Sequence, residues 1–155
     1  VVKVEHPTTG DAMRGVIRSG SVPTSDGGVN YMWEMTNRGK RSVGVNLRDP
    51  RGVDLIYRLA EQADVFLTNY LNASRQQLGI DVEHIQARNP RIIYVRGSGQ
   101  GSKGPEADQS GFDMSSYWAR SGLAHAHSLA EEPPAMQRPA MVHSRTMLTR
   151  QKGQY

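Results

Sequence analysis

The 155 residues contain no cysteine, which excludes a disulfide scaffold. No stretch approaches the roughly 20 consecutive apolar residues that a membrane-spanning helix needs. No GK[ST] is present, so there is no Walker A loop. No GxSxG is present either, which removes the nucleophile elbow of serine hydrolases. HExxH is missing, and His125-Ala126-His127 offers two imidazoles without further ligands, so no metal is expected. Aromatic residues make up only 6% and lysine is scarce, with four against 15 arginines. The apolar share is 37% and the mean hydropathy is −0.59, a lean complement for a chain with clear strand and helix signals.

The patterned segments read as α/β. Val1 to Glu5 is a valine-rich strand, and Ser42 to Leu47 is a second, with Val43, Val45 and Leu47 on one face. Asp49-Pro50 starts a helix, with the aspartate as N-cap and the proline at the first helical position. Val53, Ile56, Leu59, Ala60 and Ala63 follow at helical spacing. Asp64 to Thr68 is a continuous apolar strand of the kind found in parallel sheets. Short helices follow over Ser74 to Leu78, ending at Gly79, and over Asp81 to Arg88, ending at Asn89-Pro90. Ile92 to Val95 is the next strand, Gly97 to Pro105 a glycine-rich turn, and Met114 to Leu123 a helix. Strands alternating with helices predict parallel pairing. The pattern reads as an α/β domain over 1–124 and an irregular tail over 125–155. The abrupt opening on a strand and the thin core suggest a truncated chain.

Gly99-Gln100-Gly101-Ser102-Lys103-Gly104 fits GxGxxG literally. Pro105 follows at once and no helix opens there, so a flexible turn is the better reading than a dinucleotide site. Asn37-Arg38-Gly39-Lys40-Arg41-Ser42 gathers three cations ahead of a strand, and Arg48 lies just past that strand's other end. Such a cluster suits phosphates or is a solvated basic loop. The net charge of +4 is modest and no recognition motif is present, which argues against a nucleic-acid partner.

These segments, in order, resemble the family III CoA-transferases, which include the formyl-CoA and carnitine-CoA transferases and, as relatives, the α-methylacyl-CoA racemases. The resemblance is carried by Val2-Lys3-Val4-Glu5, Gly10-Asp11, Arg14, Asn37 to Ser42, and Asp49-Pro50-Arg51-Gly52. It continues through Ala63-Asp64-Val65, Asn69-Tyr70, Leu78-Gly79 and Asn89 to Tyr94. Gly97 to Gly101, Gly104-Pro105, Gly111-Phe112-Asp113 and Ser121-Gly122 complete it.

The resemblance implies that 1–124 is a partial Rossmann-like domain, the incomplete large domain of that α/β fold with its parallel sheet flanked by helices. It implies an interlocked homodimer in the intact protein, with acyl-CoA and a small carboxylic acid as substrates. It implies a cytoplasmic location, because coenzyme A is an intracellular cofactor, and no membrane partner. In the family an aspartate attacks the acyl-CoA thioester and expels CoA thiolate. CoA then attacks the anhydride to give an enzyme-bound thioester, which the acceptor acid resolves. Coenzyme A contacts would fall at His6, Val45, Arg48, Asn69 and Tyr70. Arg75 would substitute for a phosphate-binding arginine, because Gln77 stands at that arginine's position. For Val45 and Tyr70 the alternative is plain core packing.

Asp113 matches an acidic residue near the active centre. Phe112 stands where racemases carry an acid–base histidine, and a phenyl ring exchanges no proton. The family's nucleophilic aspartate aligns with His143, and no aspartate follows Asp113. A histidine forms no mixed anhydride, so the expectation is a fragment or degenerate copy without transferase turnover of its own. The alternatives are a racemase relative and a non-catalytic coenzyme A-binding module.

Overall fold

The structure, a computed structural model, describes residues 1–16 and 27–128. The chain divides into two compact units, Val1–Leu59 and Ala60–Tyr155.

In the first unit, strand β1 (Val2–Glu5) pairs in parallel with β2 (Arg41–Gly44), Val2 opposite Arg41 and Glu5 opposite Gly44. A single 3-10 turn, Ala12–Gly15, and helix α1 (Tyr31–Asn37) lie between them in sequence. Helix α1 starts where Asn30 Oδ1 accepts the Trp33 N–H at 3.0 Å, a side-chain N-cap. The sequence pattern leaves this helix unassigned, because seven residues span too few turns to show a stripe. Asp49 caps α2 (Pro50–Glu61) as expected, its Oδ1 accepting the Arg51 N–H at 2.9 Å. Ile56 and Ala60 are the buried positions of α2. Gly52 lies against the backbone of the preceding loop, where a β-carbon would stand 2.2 Å from the Asn46 carbonyl oxygen.

In the second unit, β3 (Val65–Thr68) pairs in parallel with β4 (Ile93–Arg96), Val65 opposite Ile93 and Thr68 opposite Arg96. Helices α3 (Asn72–Gln77) and α4 (Val82–Gln86) form the crossover. Helix α3 ends in a Schellman turn, with Ile80 N–H donating to the Arg75 carbonyl at 3.0 Å and Gly79 at φ +66°. Ile80, Ile85 and Ile92 are buried. Phe66 stacks on Tyr94 at 5.3 Å between ring centroids, and the Tyr94 hydroxyl donates to the Ile80 carbonyl at 2.6 Å. Burial pushes that phenol up to about 12. The opposite face of the same strands is uncovered: Val65, Leu67 and Ile93 are 50%, 74% and 62% exposed.

The expected helix over Met114 to Leu123 takes a different form. A π-helical segment covers Asp113–Ala119, and α5 covers Leu123–Ala126. Gly122 at φ +80° separates them, so the run breaks at its glycine. Two parallel strand pairs joined to helices bear out the α/β reading.

Candidate functional site

Of the residues singled out in the first unit, His6 follows the carboxyl end of β1, and Val45 and Arg48 follow that of β2; His6 lines a cleft beside these ends and Val45 and Arg48 do not. A cleft of about 330 Å³ there is lined by Glu5, His6, Thr8, Gly10, Arg14 and Ser42, among others. The Glu5 side chain is buried and accepts four hydrogen bonds. Arg14 gives two, from Nε to Oε2 at 2.8 Å and from Nη2 to Oε1 at 3.0 Å. Ser42 Oγ donates to Oε1 at 3.1 Å and the Asp11 N–H to Oε2 at 3.2 Å. The Arg14 hydrogen bonds hold the Glu5 carboxyl down at about 2, against the opposing pull of burial. Lys3 pairs with Asp11 at 2.7 Å. Lys3 Nζ and Arg14 Cζ both lie over the Trp33 ring, 3.8 and 4.0 Å from its centroid.

His6 follows β1 directly and is exposed. Its Nδ1 accepts the N–H groups of Thr8 and Thr9 at 3.3 and 3.2 Å. In the neutral ring this assigns the proton to Nε2. Val45 follows β2, is 5% exposed and donates its N–H to the Glu5 carbonyl at 2.8 Å. Its side chain is therefore packed in the core. Arg48 is exposed, and its guanidinium makes no hydrogen bond or ion pair among the described residues. Its backbone N–H donates to Asn46 Oδ1 at 3.0 Å.

In the second unit, Asn69 and Tyr70 follow β3 and are exposed, Tyr70 by 47%. Both polar groups of the Tyr70 backbone are held. Its N–H donates to Thr68 Oγ1 at 3.2 Å, and its carbonyl accepts from Arg75 Nη1 at 2.6 Å. Arg75 is 5% exposed. Its Nε donates to Asp81 Oδ1 at 2.9 Å and its Nη2 to Asn72 Oδ1 at 3.1 Å. The Arg75 guanidinium is thus buried with all three nitrogens engaged by protein groups. Asp81 was not legible as its partner, six residues on and across a turn. Burial pushes the Asp81 carboxyl up, but Arg75, the Val82 N–H and Gln76 outweigh it and hold the group below its ordinary range.

Asp113 opens the π-helical segment and is partly exposed. The glycine-rich turn closes against this segment. A β-carbon on Gly99 would lie 2.5 Å from Gly111 Cα, and Gln100 Nε2 donates to Ser116 Oγ at 3.0 Å. Phe112 is 80% exposed. His143 lies outside the described residues.

The described chemistry suits binding. An exposed guanidinium at residue 48 fits phosphate, and a half-exposed phenol ring at residue 70 offers a face to a base. The sequence profile of CoA-transferase family III matches residues 1–149. The (R)-2-hydroxy-4-methylpentanoate CoA-transferase of Clostridioides difficile is 34% identical over 81% of this chain and 31% of its own length. The succinyl-CoA:glutarate CoA-transferase of Mus musculus is 35% identical over 96% of this chain and 33% of its own length. Among solved structures, the Rv3272 protein of Mycobacterium tuberculosis superposes with a TM-score of 0.78 at 27% identity. The match covers 97% of this chain and 40% of that one. A CAIB/BAIF family protein from Brucella suis gives a TM-score of 0.71 at 26% identity, over 98% and 42%. The chain thus spans about a third of the length of these curated relatives.

Proposed function

Because the chain belongs to CoA-transferase family III, we propose that it supplies coenzyme A-binding elements of an enzyme that moves CoA from an acyl-CoA donor to a carboxylic acid. One observation carries this reading. In each unit the family-matched residues follow the carboxyl ends of parallel strands: His6 after β1, Arg48 after β2, Asn69 and Tyr70 after β3. Ligands of open α/β sheets bind outside those ends. The exposed Arg48 guanidinium supports a phosphate contact and the half-exposed Tyr70 ring supports stacking on adenine. The buried Val45 supports a shaping role rather than a direct one.

Asp113 is the acidic group assigned to the active centre by this reading, and its partial exposure is compatible with reaching a ligand. Phe112 beside it exchanges no proton, which favours transfer over racemisation. The covalent step needs a carboxylate nucleophile, and the sequence has histidine at the matching position, 143. The reading therefore assigns binding to this chain and transfer to a protein that supplies the carboxylate. It extends to a homodimer in the cytoplasm. The uncovered apolar face of β3 and β4 supports a further protein surface laid over it.

Calorimetric titration of the full chain with coenzyme A tests the reading. Saturable binding is expected, weakened by Tyr70→Ala and by Arg48→Ala and preserved by Tyr70→Phe. Absence of binding, or indifference to all three substitutions, sinks it.

A further inference from the structure

Arg75 and Asp81 form a buried ion pair, with side chains 6% and 4% exposed. Buried pairs of this kind are weak contributors to stability, because desolvation offsets most of their attraction. Apolar residues of similar volume would fill the space at least as well. The geometry gives the pair another use. Arg75 Nη1 donates to the Tyr70 carbonyl at 2.6 Å, its Nη2 to Asn72 Oδ1, and its backbone N–H to the Leu71 carbonyl at 3.0 Å. Three consecutive residues after β3 are thereby tied to one side chain and its own backbone. Asp81 fixes the guanidinium from the other side and is itself fixed. Its Oδ1 also accepts the Val82 N–H at 2.9 Å, and its Oδ2 accepts from Gln76 Nε2 at 2.7 Å. The start of α4 thus anchors the loop that carries Asn69 and Tyr70.

We propose that Arg75, held by Asp81, is a positioning residue that orders the Asn69–Tyr70 loop and aims the exposed Tyr70 ring before a ligand arrives. The inference rests on the coenzyme A reading for what the ring receives. The loop's backbone conformation then carries no ordering cost on binding, and pre-organisation appears as affinity. Neither Arg75 nor Asp81 touches the ligand.

Two variants separate positioning from bulk stability. Asp81→Asn keeps an oxygen for the Val82 N–H and leaves Arg75 on the Tyr70 carbonyl, but leaves a buried cation without its counter-charge. The double variant Arg75→Met/Asp81→Asn removes both charges, fills the volume and releases the Tyr70 carbonyl. Expected is a crossed result in the full chain. The single variant has the lower melting temperature with near-normal coenzyme A affinity. The double variant recovers melting temperature but binds coenzyme A about ten-fold more weakly. Hydrogen exchange on the free protein reads the loop directly. Amides 70–72 exchange faster in the double variant than in wild type, while the amide of the buried Ile85 does not. Unchanged exchange at 70–72 overturns the positioning role whatever the ligand. Faster exchange with unchanged coenzyme A affinity overturns its use in binding. A wild type that binds no coenzyme A removes the ligand reading, and the exchange contrast still decides whether Arg75 orders the loop.

Discussion

Glu5 and Arg14 meet through two parallel hydrogen bonds, Nε to Oε2 at 2.8 Å and Nη2 to Oε1 at 3.0 Å, with the carboxylate buried and the guanidinium half-exposed. The pair joins the end of β1 to the 3-10 turn at Ala12–Gly15, and Ser42 brings in β2. The ionised carboxylate is what these donors favour, so its folded-state value of about 2 lies below the ordinary 4.5.

A depressed carboxylate contributes stability that is complete above its unfolded value and lost as the pH falls toward its folded one. Glu5 therefore contributes fully above about pH 4.5 and loses that contribution down to about pH 2. Asp49, held at about 2 from its ordinary 3.8 by its hydrogen bonds from Arg51, acts in a narrower window, from about pH 3.8 down to about pH 2. The difference between wild type and Glu5→Gln isolates Glu5. Urea unfolding at successive pH values is expected to show a shallower acid limb for the variant. Equal slopes in the two proteins overturn the assignment.

The sequence made local devices legible and long-range pairing obscure. Asp49-Pro50 marks the start of α2 because a cap acts on the next two residues, and Gly79 marks the end of α3 because a left-handed turn is a property of one residue. Strands β1, β3 and β4 announce themselves by their valine, isoleucine and aromatic residues, whereas β2 carries only Val43. The burial of Arg75 is not legible, because charge suggests a surface and only the fold supplies Asp81 beside it. Glu5 and Arg14 stand nine residues apart across an irregular turn, a spacing that no helix or strand period brings together. The π-helical segment is missed because its apolar residues fit an α-helical pattern as well.

Gly99 is required by proximity, not by its φ. Any β-carbon there meets Gly111 backbone at 2.5 Å from Cα and 2.8 Å from the carbonyl oxygen, atoms that yield only if the segment moves. Gly99→Ala is expected to cost about 1–3 kcal/mol, the usual range for overpacking. It also parts Gln100 from Ser116 and shifts the start of the segment that carries Asp113. Chemical denaturation of this variant against Ser116→Ala, which removes only the hydrogen bond, checks the difference. Equal losses argue against the close approach as the cause.

Trp33 carries two cations on one indole, Lys3 at 3.8 Å and Arg14 at 4.0 Å. Each such contact is worth about 0.5–1 kcal/mol at a partly exposed site. Trp33→Phe keeps an aromatic face and is expected to lose less stability than Trp33→Leu, which keeps apolar volume without a ring quadrupole. Unfolding midpoints of the two variants provide the test. A leucine variant as stable as the phenylalanine one shows that the indole acts by burial alone.

Asn89 does more than stop a helix before Pro90. Its Nδ2 donates to the carbonyls of Ala60, in the last turn of α2, at 3.0 Å and of Ala63, just beyond it, at 2.9 Å; the Ala60 carbonyl also accepts the Ala63 N–H at 3.2 Å. Its Oδ1 accepts the Arg91 N–H at 3.2 Å. Asn89→Ala removes the side-chain donor from both carbonyls, leaving Ala60 only the Ala63 N–H, and is expected to cost about 1–3 kcal/mol. Asn89→Asp is expected to cost more at neutral pH, because an ionised carboxylate then faces two carbonyl oxygens. Protonation restores one donor, so the aspartate variant regains stability relative to wild type as the pH falls through the carboxylate range. The alanine variant shows no such recovery. Unfolding free energies of all three proteins at neutral and acid pH distinguish these outcomes, and an aspartate variant that tracks alanine at both overturns the bridging role.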